Sequence, residues 1–219
     1  MAITVTSAAT SSKLTTLAAA KVELNITSTA YDSRLNSLIQ QASDIITRYT
    51  GRTFARQTYT ETLASNGGPV LILENTPIVS ISLVTDDGTT VSSTTYSIEN
   101  RDAGLLFNPS GWRNTMLYVS NIEGFALGVN YGKRSWSVSY TAGYKLPGST
   151  SASTGPTLPT DVERACLEIV KGSYLRLGAD PAVKSQRTGE AWETLFDIEK
   201  TQGLPPATAA LLAPWVRQL

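Results

Sequence analysis

The hydrophobic period of this chain changes twice, and those two changes set what it can fold into. Between about Asp32 and Thr50, Leu35, Leu38, Ile39, Ala42, Ile45, Ile46 and Tyr49 recur every three or four residues, the spacing that lays one apolar stripe along a helix. Arg34, Ser37, Gln41, Asp44 and Arg48 fall on the other face, and Gly51 follows the last apolar position, where a left-handed residue closes a helix at low steric cost. From Thr53 to about Tyr144 the period drops to two, with β-branched and aromatic residues alternating with serine and threonine between Gly, Asn and Asp turns. After Pro159 the helical spacing returns: Val162, Ala165, Cys166, Ile169, Val170, Ser173, Tyr174 and Leu177 form a stripe that ends at Gly178. Two helical regions with complementary stripes on either side of a β segment imply an α+β fold. The economical form is a small bundle of three to four helices interrupted by an inserted antiparallel β domain.

Finer boundaries follow from local signals. Residues 1–14 read as a loose N-terminal arm. The first part of the bundle, 15–52, opens on Ser11, Ser12, Thr15 and Thr16, which offer N-caps for a short helix from Leu17 to Leu24. In the β domain, 53–146, Val79, Ile81 and Leu83 alternate with Ser80 and Ser82, and Trp136, Val138 and Tyr140 with Ser135, Ser137 and Ser139; each strand should bury one face. Val70 to Leu73 is apolar throughout and should be buried on both sides. Asn66-Gly67-Gly68 predicts a hairpin between strands near Thr58–Leu63 and Val70, and Asp87-Gly88 another between Ile78–Val84 and Thr90–Ser97. Gly111 to Lys133 reads as strand fragments around a long excursion. The stretch 147–159, PGSTSASTGPTLP, is a linker by composition. The second part of the bundle, 160–203, should contain a further helix from Gly189 to Gln202, and 204–219 forms a C-terminal arm.

Composition removes most chemistry. The 219 residues contain no histidine and one cysteine, so the chain can form no internal disulfide, His/Cys zinc site, histidine general base or Ser-His-Asp triad. Eighteen basic residues balance eighteen acidic ones. No net field draws the chain to nucleic acid or anionic lipid, and none keeps copies of it apart. No apolar run approaches the roughly 18 residues that cross a bilayer, and Met1–Leu14 lacks the pattern of a signal peptide, so a soluble, cytoplasmically made protein without a membrane partner is expected.

Each remaining candidate has a plainer reading. Asp86 and Asp87 are adjacent carboxylates at a predicted hairpin turn, and no third oxygen ligand lies nearby. Cys166 sits in an apolar stripe and should be an inert buried thiol. Trp112, Tyr118, Trp136, Tyr140 and Tyr144 could stack on sugars or bases, but core and subunit contacts also need aromatic rings. Arg34, Arg48, Arg52 and Arg56 could touch phosphate, but dispersed carboxylates make ion pairs with neighbours or other subunits the better reading. The chain has no Walker sequence, nucleophile elbow, dinucleotide fingerprint or metalloprotease signature, and we expect no catalytic residue, cofactor or metal.

The C-terminal segment is the most informative. Leu211, Leu212, Trp215, Val216 and Leu219 put much apolar area on some sixteen residues, too few to hold a helix alone in water. The segment must dock. Pro214 forbids one continuous helix, so Trp215 to Leu219 are expected to leave the preceding turn as an arm that reaches a neighbouring molecule, in preference to docking on their own bundle.

Taken in order, LTTLAAAKVELNI, YDSRLNSLIQQASDIITRYTGRTF, ENTPIVSISLV, SVSYTAGY, LPTDVERACLEIVKGSY and GLPPATAALLAPW resemble the head-tail connector (adaptor) family of tailed bacteriophages and prophages, from about Leu14 to the end. The resemblance implies a non-enzymatic virion protein at the head-tail junction, assembled in the bacterial host cytoplasm. It implies a ring, typically of twelve copies, beneath the portal, joined to tail-side proteins and enclosing DNA without sequence-specific binding. It further implies that Leu204, Pro205, Leu211, Leu212, Trp215, Val216 and Leu219 meet the portal, while Arg34, Arg48 and Arg52 are candidates for contacts between subunits. The alternative from composition is a monomeric binding module whose β domain presents Trp112, Trp136 and nearby tyrosines to carbohydrate, with an enzyme third.

Overall fold

The computed structural model describes residues 2–64, 68–112, 136–149, 155–175, 185–188, 191–194 and 204–217. The chain forms two compact units, Met1–Ala9 with Arg56–Tyr144 and Thr10–Ala55 with Lys145–Leu219. The class is α+β, as the period changes require.

The first unit carries the strands β1 (Ala2–Ser7), β2 (Gln57–Leu63), β3 (Val70–Ile72), β4 (Ile78–Asp86), β5 (Thr89–Thr90), β6 (Ser97–Asn100), β7 (Leu105–Phe107) and β8 (Trp136–Ala142). They form a five-stranded sheet in the order β1-β2-β8-β4-β5 and a three-stranded sheet in the order β3-β7-β6, with antiparallel pairing throughout. Both sheets supply the core: Tyr59 and Leu63 from β2, Ile78 and Val84 from β4, Val138 and Tyr140 from β8, and Leu71 and Leu106 from the smaller sheet. On β8, Trp136, Val138 and Tyr140 are buried and Ser137 and Ser139 half-buried, as their alternation predicts. Trp112 packs edge-on against Trp136, ring centroids 5.0 Å apart, and its indole N–H donates to Pro69 O at 2.9 Å.

One acidic side chain lies inside this core. Glu61 is fully buried on β2, and its Oε2 accepts from the Tyr140 hydroxyl at 2.7 Å and from the Glu74 backbone N–H at 3.1 Å. Hydrogen bonds of this kind offset the cost of taking a polar carboxyl group out of water.

Several expectations need correction. Ala2–Ser7 does not form part of a loose arm; it pairs antiparallel with β2 as an edge strand. The glycines after Asn66 do not join a hairpin, because β2 pairs with β1 and β8 while β3 enters the other sheet. β3 is not buried on both faces, since Ile72 is 62% exposed. On β4 the even alternation fails: Ile78 and Val84 are buried and Leu83 exposed, because the register shifts between Ile78 and Ser80 and again between Ile81 and Leu83. Each irregularity turns the following side chains to the opposite face. Thr90–Ser97 is not one strand but the ends of β5 and β6. The Asp87-Gly88 turn is as expected: both residues have positive φ, +52° and +85°, between the paired Asp86 and Thr89. The excursion after Trp112, with Tyr118, lies outside the described residues.

The second unit holds α1 (Leu17–Glu23), α2 (Asp32–Thr50), α3 (Thr160–Leu175) and α4 (Pro206–Leu212). Thr16 caps α1, its hydroxyl accepting from Ala19 N–H at 3.1 Å. α2 buries Leu35, Ile39, Ala42, Ser43 and Ile46 and ends at Gly51 with φ +63°. α3 buries Val162, Ala165, Cys166, Ile169 and Val170 of the stripe read from the sequence; Ser173 and Tyr174 are half-buried, and Leu177 and Gly178 lie outside the described residues. Ser43 ties α2 to the segment before α1: its hydroxyl donates to Ile39 O at 2.7 Å and accepts from Leu14 N–H at 3.0 Å, and it lies 3.8 Å from Cys166 Sγ on α3. At the surface, Glu23 of α1 bridges Arg164 and Lys171 of α3 at 3.0 and 2.9 Å.

The expected helix over 189–202 is corrected where it is described, at Ala191–Thr194. Ser185–Thr188 (β9) and Ala191–Thr194 (β10) pair antiparallel. Thr188, Trp192 and Thr194 are residue types that favour strands. Gly189, Glu190 and 195–203 lie outside the described residues.

Candidate functional site

The C-terminal segment is built by two prolines. Pro206 stands in the first turn of α4, where its missing N–H costs nothing, and Pro214 ends the α-helix in a single 3-10 turn, Ala213–Trp215. Leu204, Thr208 and Leu212 recur every fourth residue and form one buried face, with Leu204 2% and Leu212 0% exposed. Thr208 Oγ1 donates to Glu168 Oε2 on α3 at 3.1 Å. Beyond the 3-10 turn, Arg217 N–H donates to the carbonyl of Thr50 at 2.9 Å, satisfying one acceptor at the C-terminus of α2.

The expectation of an arm that leaves the bundle needs correction: as far as Arg217 the segment folds back on its own bundle, held by its buried face and by these two bonds. Leu204 and Leu212, both expected at the portal, are buried within this chain. The remaining expected contacts are divided: Pro205, Leu211, Trp215 and Val216 are half-buried, and Leu219 lies outside the described residues. Between them Pro206, Ala207, Ala210, Ala213 and Pro214 are exposed. From Pro206 to Pro214 the outward face thus carries no charge and, apart from backbone, no hydrogen-bonding group.

The arginines do not form one cluster. Arg34 and Arg48 are exposed on the same face of α2, about 21 Å apart at helical rise, and Arg52 is half-buried past Gly51. Asp86 and Asp87 belong to the β4–β5 turn, and no group of three potential metal ligands occurs among the described residues. Burial pushes the Cys166 thiol up to about 12, against a weaker lowering by the Ser43 hydroxyl, so it is protonated and inert at neutral pH. Trp112 and Trp136 are buried against one another, 0% and 3% exposed. Among the described residues, no helix is long and apolar enough to cross a membrane.

Sequence reasoning missed the anchors Thr208–Glu168 and Arg217–Thr50. The four-residue spacing of Leu204, Thr208 and Leu212 was the available signal for the first. The second, a backbone bond, has none.

Comparison with known proteins identifies the family. The model of the head completion protein family, HCP, matches residues 13–176. The chain belongs to the head completion protein family. The expected class, a head-tail connector with a structural role, agrees with this match. In fold, the chain is similar to a protein in the neck of an empty GTA particle computed with C6 symmetry, at 16% identity and a TM-score of 0.56, covering 100% of this chain and 98% of that one. It is also similar to a chain in the virion of a native gene transfer agent (GTA) particle, at 17% identity and a TM-score of 0.54, and to one in the native GTA neck computed with C12 symmetry, at 16% and 0.52, with the same coverages. No curated protein matches the sequence significantly.

Proposed function

We propose that this head completion protein assembles as a ring of twelve copies beneath the portal, joins the portal to a tail-side protein, and meets the portal through the outer face of its C-terminal segment. The role is structural, not enzymatic, and its place is the head-tail junction of the virion. The observation that carries the portal contact is the uncharged outer face from Pro206 to Pro214, bordered by half-buried Leu211, Trp215 and Val216. Side chains that bury only part of their apolar area on their own bundle retain area for a partner.

The ring reading draws on family membership and on the twelvefold symmetry of a neck with a similar fold. Net charge supports it. A ring that DNA must pass should not grip phosphates, because each phosphate neutralised strengthens binding by counterion release, and this chain has a formal charge of zero. Repetition of one modest apolar contact around a ring gives firm attachment without a strong single site. Exposed Arg34 and Arg48 on α2, with Arg52 just beyond it, are the polar groups we assign to contacts between copies.

Electron microscopy of the protein mixed with portal tests the reading. Rings on the portal are expected for the unaltered chain, and capture should fall at least tenfold for the double variant Leu211→Glu, Val216→Glu with its circular dichroism unchanged. Full capture by that variant would refute the C-terminal contact; failure of the unaltered chain to form rings would refute the ring.

A further inference from the structure

We propose that β1 is exchanged between neighbouring copies: in the assembled ring, Ala2–Ser7 of each copy lies on β2 of the next, in the register it holds on β2 here. This inference rests on the ring reading and names a contact that would close it.

The strand is placed to leave home. Among the described residues it is an edge strand with β2 as its one neighbour in the sheet, and it lies far from β2 in sequence, Thr4 standing opposite Thr60. Its side-chain attachments are slight: Thr4 Oγ1 to Thr60 O at 3.2 Å, the Thr6 and Thr60 hydroxyls at 3.0 Å, and Ile3 packed partly against the core. The other five residues are exposed, Val5 by 52%, and withdrawing the strand exposes little apolar area beyond Ile3.

The tether permits it. Between Ser7 and Ser12, whose hydroxyl accepts from Gln40 Nε2 at 2.9 Å, the four residues Ala8–Ser11 form no regular structure and reach about 13 Å when extended, and release of the Ser12 and Lys13 side-chain bonds to Gln40 and Asn36 lengthens the tether to about 20 Å. Ala2–Ser7 contains no charge and no proline, two of the devices that guard an edge strand, and its pairing with β2 is regular from Ala2 to Val5, with one register shift between Val5 and Ser7. On β4, by contrast, the backbone is twice irregular and the Arg101 guanidinium covers the carbonyls of Ile78 and Val79, at 3.0 and 2.6 Å.

Exchange also has the symmetry that a ring needs. Each copy gives one strand and accepts one, a head-to-tail contact that closes on itself, whereas mutual pairing of two β1 edges would stop at a dimer. The strand remakes on its neighbour the same hydrogen bonds and packing that it leaves at home, so the cost is that of association, which the high local concentration on a portal template reduces. A free copy keeps its strand at home, and assembly exchanges it.

The test is a disulfide across the β1–β2 pair. In the double variant Thr4→Cys, Thr60→Cys, oxidised after rings have formed on the portal, exchange predicts a ladder of covalent multimers up to the whole ring on a non-reducing gel; buried Cys166 stays out of the reaction. Should the double variant fold poorly, rings made from mixed Thr4→Cys and Thr60→Cys chains carry the same test. Peptide mass spectrometry should then find the N-terminal strand of one variant joined by a disulfide to the β2 peptide of the other. Rings whose double variant yields monomers alone, or whose mixed chains yield no such peptide, overturn the exchange and leave the ring standing. Absence of rings from unaltered protein overturns both.

Discussion

Arg217 N–H donates to the carbonyl of Thr50 at 2.9 Å, so the last described residue of the chain closes the helix that the first period of the sequence begins. The bond sits beside Gly51, at φ +63°, where a Cβ would stand 3.7 Å from that of Arg217. With Thr208 on Glu168 and Leu204 and Leu212 in the core, it makes the C-terminal segment a part of the bundle that also offers a face outward.

That dual role separates two adjacent leucines. Leu212→Ala removes a fully buried side chain and should cost about 2–5 kcal/mol, read as a lower midpoint in urea. Leu211→Ser, on the half-buried side, should cost under about 1 kcal/mol yet weaken portal capture. Equal losses of stability for the two would mean that the helical phase of α4 is not the one described.

In the β unit the Tyr140 hydroxyl anchors a buried carboxylate. Tyr140→Phe keeps the ring, which packs 5.7 Å from Tyr59, but takes a 2.7 Å donor from Glu61, and should cost about 1–3 kcal/mol. Denaturant unfolding with an unchanged slope would show that the loss is local. A cost near zero would mean that Glu61 is satisfied without that hydroxyl.

The period changes made the α+β class and the helices α2 and α3 legible, because a stripe of seven or eight apolar residues has one economical explanation. Short strands were less so. Ala2–Ser7 is brief, exposed and followed by no turn, and its partner lies more than fifty residues away, so local pattern could not show the pairing. On β4 the alternation marks a strand correctly, but register irregularities, which have no residue signature here, decide which residues face in. At the C-terminal segment the sequence showed that Leu211 and Leu212 needed cover. Which of the two the chain covers itself follows from the direction each takes on α4, a tertiary matter.

Two glycines with positive φ should respond differently to alanine. At Gly104, φ +74°, a Cβ would lie 2.6 Å from the backbone oxygen of Leu73 and 2.8 Å from the Thr76 methyl, so either the chain or its neighbour must move. At Gly88, φ +85°, the space is open and only backbone strain of about 1–2 kcal/mol applies. Gly104→Ala should therefore lower the thermal midpoint by clearly more than Gly88→Ala, and the reverse order would contradict the β3–β7 packing.

Alkaline stability follows from two buried groups. Burial raises the Cys166 thiol from 9.0 to about 12, and burial, then the hydrogen bond to Glu61, raises the Tyr140 hydroxyl above its ordinary 10.0. In both cases the unfolded chain loses its proton first, so the stabilisation is complete below about pH 9 and declines as pH rises through the window between the unfolded and folded values. Each group titrating there lowers stability by up to about 1.4 kcal/mol per pH unit. Urea midpoints should fall steeply between pH 9 and pH 11 in the unaltered protein and less steeply in Cys166→Ala. The thiol gives an independent check: at pH 8 an aromatic disulfide reagent should leave the native protein untouched and label one cysteine per chain after unfolding. Rapid labelling of the folded protein would place Cys166 outside the stripe that α3 buries against α2.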